Sequence, residues 1–268
     1  MIAQTLNAYY NNRKILQNID LSIPKGKFTC VIGPNGCGKS TLLKLLAGIK
    51  QQSLRSSGII TINSSNIEEL SRKQIAQKVS FMPQAETSTW DFSVKDMILT
   101  GRFSHTEFSR WYSKDDRLIV ESIMNELNLA PLKNRSVNTL SGGEFQRVRI
   151  ARSIAQQSNF LLLDEPIANL DFTCQNDIML KLTEIAHEKN IGVVMAIHDI
   201  NLAAVFADKI LLVNPIDVVD ETNAQTQFGN VEEIITKENI CNAYKTTCDI
   251  YIHPILHCPQ ILSYLSKV

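Results

Sequence analysis

The hydrophobic positions of this chain fall into three patterns. From Leu6 to Ile23 they follow a two-residue period, clearest where Ile19, Leu21 and Ile23 alternate with Asp20 and Ser22, and Asn11-Asn12-Arg13 supplies a turn. This predicts antiparallel strands with one buried face. Short apolar runs recur at 28–32, 58–62, 79–82, 160–163, 192–197 and 209–213, with Pro24-Lys25-Gly26 breaking the chain before the first and Pro83 stopping the third. These predict further strands. A helical period joins Leu118, Ile119, Ile123, Met124 and Leu127 behind Ser113-Lys114-Asp115-Asp116, ending near Ala130-Pro131. It returns as Phe145, Val148 and Ala151 within 142–157, as Ile178, Leu182 and Ile185 within 174–187, and at 200–207, while Ser71 is placed to cap a short helix.

Strand and helix alternate on both sides of residues 84–157, which show helical patterning and no clear strand. The expected fold is therefore α/β: a mostly parallel sheet covered by helices, an N-terminal antiparallel β subdomain and an inserted α-helical subdomain. In one domain spanning 1–268, residues 1–83 and 158–230 are read as the core with its β subdomain, 84–157 as the helical subdomain and 231–268 as a C-terminal extension.

One turn gives this fold a chemistry. Gly33-Pro34-Asn35-Gly36-Cys37-Gly38-Lys39-Ser40 stands between the apolar run 28–32 and a helical stretch opened by Thr41, so the order is strand, glycine loop, helix. That is G-x-x-x-x-G-K-S in the setting its chemistry requires. Glycines let backbone N–H groups wrap a phosphate, and the helix N-terminus behind them favours the same anion. Residues 33–41 are the candidate nucleotide contacts, with Lys39 to reach the β- and γ-phosphates and Ser40 to place its hydroxyl on Mg²⁺. Phe160-Leu161-Leu162-Leu163-Asp164-Glu165-Pro166 adds a buried strand ending in two carboxylates. Asp164 can hold Mg²⁺, directly or through water, and Glu165 can polarise an attacking water.

Composition limits the setting. With 268 residues, 44% hydrophobic and 20% charged, the chain is long enough for a sizeable core and ordinary for a globular protein. Its 27 basic and 27 acidic residues cancel, so no overall excess points to nucleic acid or to an anionic membrane surface. No signal peptide is expected from Met1-Ile2-Ala3-Gln4-Thr5, and no apolar run approaches the ~20 residues of a membrane helix, so membrane contact is expected through a partner. Six cysteines without a C-x-x-C pair fit a reducing cytoplasm. Cys248, His253, His257 and Cys258 lie close together, but their spacings fit no zinc pattern, and a tail with incidental His and Cys is expected.

Leu140-Ser141-Gly142-Gly143-Glu144 resembles the Leu-Ser-Gly-Gly-Gln signature of ABC-type ATPases, about twenty residues before the acidic strand, with Glu144 in place of Gln. Residues 6 to about 250 fit this family. The resemblance implies an aromatic on adenine at Tyr10, with Tyr9 the rival by register. It implies that Gln84 contacts Mg²⁺ and the water and links to a membrane partner. It also implies that Asn169-Leu170-Asp171 crosses to a second nucleotide domain, although Ile167 stands where Thr is frequent, and that His198 contacts the γ-phosphate. In this family two nucleotide domains sandwich two ATP molecules, so Ser141, Gly142 and Gly143 of one copy close the loop of another. With one copy of each motif, this chain is expected to pair with itself.

Gly101-Arg102-Phe103-Ser104-His105, followed by Trp111-Tyr112-Ser113-Lys114-Asp115-Asp116, is similar to a stretch of importers for ferric siderophores, haem and cobalamin, with Ser104 where Pro is usual. The segment from Val231 to Tyr244 is similar to the end of the same subfamily, whereas residues 214–230 resemble nothing specific. What this implies is an ATP-hydrolysing importer subunit, peripheral to the cytoplasmic face of the cell membrane. Its partners would be a multi-span permease and, through it, an extracytoplasmic solute-binding protein, with no nucleic acid. An exporter subunit and a soluble ABC ATPase for assembly or nucleic-acid remodelling are the alternatives.

Overall fold

The computed structural model describes residues 1–86, 91–106, 112–168, 170–218 and 224–263. The chain starts as an antiparallel pair, β1 (Ile2–Tyr10) and β2 (Arg13–Ser22), turned at Asn11. It leaves this sheet for β3 (Phe28–Ile32) and α1 (Lys39–Leu46), then returns as β4 (Leu54–Ile62) and β5 (Ser65–Asn66). The resulting order is β2-β1-β4-β5. Leu6, Ala8, Leu16, Ile19 and Leu21 are buried while Asp20 and Ser22 are exposed, as the two-residue period requires.

Next come α2 (Arg72–Lys78), held by a Ser71–Gln74 capping box, and β6 (Val79–Met82). After the helical region lie β7 (Phe160–Asp164), α6 (Phe172–Glu188), β8 (Gly192–Ala196), α7 (Ile200–Phe206), β9 (Lys209–Val213) and β10 (Thr226–Gly229). The second sheet runs β10-β9-β3-β8-β7-β6, parallel except where β10 pairs antiparallel with β9. Every residue of β3, β7 and β8 is buried, which is why these strands read as unbroken apolar runs. Successive residues serve opposite layers. Cys30, Ile32, Leu161 and Leu163 join the helical side, whereas Val31, Leu162, Val194 and Leu211 pack with Leu42, Leu43 and Leu46 of α1 and with Leu6 and Ile19 of the first sheet.

β10 lies in the stretch without a sequence assignment. Its pairing is non-local, and the buried Gln225 before it ties it to β2: Gln225 Nε2 donates to the Ile15 carbonyl at 2.8 Å, and Gln225 Oε1 accepts from Gln17 N–H at 2.6 Å. A polar side chain reaching across the fold leaves no local period to read.

The helical region contains α3 (Val94–Leu99), a 3₁₀ stretch at Thr100–His105, α4 (Lys114–Glu126) and α5 (Gly142–Ala155). Arg102 and Asp116 form a buried ion pair at 2.8 Å, and Arg102 Nη1 also donates to the Ala155 carbonyl and Gln157 Oε1, each at 2.8 Å. His105 Nε2 donates to the Gln156 carbonyl at 2.7 Å. A Cβ on Gly101 would lie 2.2 Å from the Arg152 carbonyl oxygen, so glycine is required for this close approach. The stretch similar to the importers is thus one packing unit, from which Phe103 projects, 74% exposed. Trp111 lies outside the described residues. α4 stops at Glu126, earlier than the expected Ala130-Pro131, where a separate 3₁₀ turn forms.

Beyond β10, α8 (Val231–Ile234) and α9 (Lys237–Tyr244) lead to a hairpin of β11 (Cys248–Ile252) and β12 (Pro259–Ser263). Asn201 of α7 holds the hairpin: its Oδ1 accepts from Ile261 N–H at 2.7 Å and its Nδ2 donates to the Ile261 carbonyl at 3.1 Å. Cys248 lies against Cys241, Sγ to Sγ 3.5 Å, while His253 Nδ1 accepts the Ile255 and Leu256 amides within the hairpin turn. Among the described residues no group of three or more His, Cys, Asp or Glu is placed to hold a metal ion.

Candidate nucleotide site

The glycine loop leaves the carboxyl end of the central strand β3. Gly33 has φ +146°, and a Cβ there would meet the Val213 carbonyl oxygen at 2.3 Å; Gly38, at φ +111°, begins α1. Lys39 is buried, and its Nζ donates to the carbonyls of Gly33 at 2.7 Å and Pro34 at 3.2 Å. Its aliphatic stem is fixed and its ammonium lies across the mouth of its own loop. Asn35 and Gly36 are exposed at the tip, while Cys37 and Thr41 are buried beneath it. Ser40 Oγ donates to Asp164 Oδ1 at 2.9 Å, bringing together residues 124 positions apart. Asp164 is buried at the end of β7. Burial pushes its carboxyl above the usual range, and the Ser40 hydrogen bond opposes this.

Gln84, Glu165 and His198 follow the ends of β6, β7 and β8, which are neighbours in one parallel sheet. Their side chains converge. Gln84 Nε2 donates to Glu165 Oε2 at 2.7 Å, and His198 Nε2 lies 2.6 Å from Glu165 Oε1. Glu165 adopts a left-handed backbone, φ +52°, which costs on the order of 1–3 kcal/mol for a residue of this kind. Its N–H donates to the Ala196 carbonyl at 3.2 Å, so backbone and both carboxylate oxygens are held from different strands.

α5 begins at Ser141, whose Oγ accepts Glu144 N–H at 3.3 Å while Ser141 N–H donates to Glu144 Oε2 at 2.8 Å. Glu144 thus closes a capping box. Among the described residues a Cβ on Gly142 would meet nothing within 4 Å, and one on Gly143 only Leu170 at 3.6 Å. Packing against the described residues therefore demands neither glycine.

Farther along α5, three residues at three-residue spacing tie this helix to the loops around Glu165. Gln146 Nε2 donates to the Pro166 carbonyl. Arg149 donates to the Pro83 carbonyl, to the Gln84 carbonyl at 3.4 Å and to Gln146 Oε1 at 2.8 Å. Glu86 receives Arg149 Nε at 3.3 Å and both terminal nitrogens of Arg152 at 2.6 and 2.7 Å. Burial opposes ionisation of Glu86, but the two arginines prevail and hold its carboxyl below the usual range. Sequence reasoning missed this network. Its traces were the common face of 146, 149 and 152, and an acid two residues after Gln84.

Other candidates stand apart from this centre. Tyr10 ends β1 and its hydroxyl donates to Gln51 Oε1 at 3.0 Å, whereas the Tyr9 ring lies 5.7 Å from Lys14 Nζ. Asp171 caps α6 by accepting Cys174 N–H at 2.9 Å. Asn169 lies outside the described residues. Among these residues no hydrogen bond joins Ser141, Gly142 or Gly143 to the glycine loop.

A glycine loop behind a central parallel strand, with a hydroxyl at the start of the following helix and two acids, an amide and an imidazole at neighbouring strand ends, defines a P-loop nucleotide hydrolase. The pattern of the ABC transporter family matches residues 16–168. The chain belongs to this family, as one of its transport-coupled ATPases. It is 33% identical over 261 residues to the iron(3+)-hydroxamate import ATP-binding protein of Bacillus subtilis (strain 168), covering 97% of this chain and 93% of that one. With the ferric enterobactin transport ATP-binding protein of Escherichia coli (strain K12) it shares 31% over 260 residues, covering 97% and 92%. Among solved structures, a metal-chelate type ABC transporter in an inward-facing conformation is similar at TM-score 0.79 and 28% identity, covering 99% of this chain and 98% of that one. A dimeric ATP-binding cassette in a post-hydrolysis state, bound to ADP and Pi, is similar at TM-score 0.67 and 26% identity, covering 79% and 93%.

Proposed function

We propose that this chain powers an importer whose cargo is an iron chelate or a related haem- or cobalamin-type compound. The observation that carries the hydrolytic part is the convergence of Gln84 and His198 on Glu165 beside Ser40 and Asp164. Amides of residues 33–41 bind the phosphates, and Lys39 moves its charge from the Gly33 and Pro34 carbonyls onto the β- and γ-oxygens. Glu165 polarises the water that attacks the γ-phosphorus, with ADP as leaving group, while His198 orients the attack. Tyr10 stacks on adenine. Asp171 and the Ser141-Gly142-Gly143 cradle act across the interface with a second copy, consistent with glycines that the described residues of their own chain do not require.

The donors Ser40, Asp164 and Gln84 suit Mg²⁺. They offer oxygen ligands, and a buried carboxylate whose ionisation burial disfavours needs a nearby positive charge. Held there, the ion would neutralise phosphate charge.

The import reading rests on the relatives, which match over nearly their whole length, and on Phe103, an exposed aromatic on the unit similar to importers. No helix among the described residues is long and apolar enough to cross a membrane. In this reading the chain attaches at the cytoplasmic face through a permease. A solute-binding protein lies beyond the permease, and no nucleic acid takes part. The test is to tag the chain in its native cell, solubilise the membranes gently and identify what co-purifies. Recovery of a multi-span permease with a solute-binding protein that takes up a ferric chelate is the expected outcome. Recovery with soluble partners alone would leave an ATPase without transport.

A further inference from the structure

The C-terminal segment reaches the phosphate loop at one atom. β3 pairs with its neighbours up to Ile32, so Gly33 carries the first amide beyond the ladder, in a place too tight for any side chain. Its N–H donates to the hydroxyl of Tyr244, 2.8 Å away and 211 positions later. A buried N–H left without such a partner would lose its water contacts with nothing in exchange. Tyr244 is held from both directions. On one side α9 starts at the Thr236 cap and buries Ile240 and Ala243. On the other, Lys245 turns the chain with φ +49° and pairs with Asp217 at 2.5 Å, in the turn just after β9. Burial pushes the phenol well above its ordinary value, so a neutral hydroxyl faces Gly33.

The same glycine anchors the lysine. Gly33 N–H is on Tyr244, and Gly33 C=O accepts the Lys39 ammonium. The two groups lie on the successive peptide units that meet at the Gly33 Cα, so displacing the first shifts the residue that carries the lysine's acceptor.

We propose that Tyr244 is a positioning residue for nucleotide binding: the C-terminal segment fixes the entry of the phosphate loop through Gly33 and thereby presets Lys39 and the loop amides. This rests on reading residues 33–41 as the phosphate loop. Tyr244 touches no reacting atom. It acts on binding, and the acceptor oxygen is the part that matters.

The experiment compares the full chain with Tyr244→Phe, which removes the hydroxyl and keeps the ring. Equilibrium binding of ATP and steady-state hydrolysis are measured, with Lys39→Ala as the control for the phosphate-loop reading. Tyr244→Phe should raise both the ATP Kd and the KM roughly five- to tenfold and leave kcat within about twofold, the signature of lost uniform binding. A role in folding alone would lower Tm with Kd and KM unchanged, and that result overturns the proposal. Amide hydrogen exchange on the wild type gives an independent reading should the variant not fold. The Gly33 amide should be protected without nucleotide, and exchange at the rate of an open loop overturns the proposal. Were Lys39→Ala to keep wild-type ATP affinity, the phosphate-loop reading itself would fail.

Discussion

Glu165 shows how a residue can be placed against its local preference. Its left-handed backbone is unfavourable for any residue that carries a Cβ, and it persists because Ala196, Gln84 and His198 each fix part of it. The energy spent there buys orientation of one carboxylate. Glu165→Gln should therefore keep ATP affinity within about threefold while kcat falls on the order of a hundredfold or more; equilibrium ATP binding and phosphate release check it, and near-normal turnover would remove Glu165 from its role. Lys39→Ala should weaken ATP binding at least about tenfold, since a charge-assisted contact to phosphate is worth roughly 1.5–3 kcal/mol. Isothermal titration measures this directly.

At the scale of elements, α5 is the component that touches most of the site. Its first turn presents Ser141 outward, while Gln146, Arg149 and Arg152 hold the loops after β6 and β7. Glu86→Ala would leave Arg149 buried with its main counter-charge gone, and a loss of about 3 kcal/mol in urea denaturation is expected. The helical region has a second buried pair in Arg102–Asp116. Burial works against the Asp116 carboxylate, but Arg102 and the Ser113 cap outweigh it and hold the carboxyl below its usual value. A depressed carboxyl contributes stability that is complete above the ordinary value of about 4 and disappears as the pH falls below it. Asp116→Asn should therefore destabilise the chain at pH 7, and the gap to wild type should narrow between about pH 5 and pH 3. A constant gap across that range would mean the charge contributes nothing.

For the whole molecule, the separation of the Ser141-Gly142-Gly143 turn from the phosphate loop is the deciding feature. Among the described residues no hydrogen bond joins Ser141, Gly142 or Gly143 to the phosphate loop, and Phe172, directly after Asp171, is 78% exposed. The second copy proposed above would cover both. Glu165→Gln should elute as a monomer without nucleotide and as a dimer with ATP and Mg²⁺; a monomer under both conditions would contradict self-pairing.

The sequence by itself determined the layered α/β fold, the glycine loop, the acidic strand and the signature, because each is written in neighbouring residues: periods of two or 3.6, turn glycines, caps such as Ser71 and Ser113. It located Gln84, Glu165 and His198 separately. Only the tertiary structure decided that these three meet, since adjacency of β6, β7 and β8 follows from sheet order rather than from spacing. The same holds for β10, whose partner is reached through Gln225, for the Glu86–Arg149–Arg152 network, and for Tyr244 on Gly33. Each of these joins side chains or backbone far apart along the chain, and contacts of that kind leave no local pattern because many partners would satisfy the same hydrogen bond.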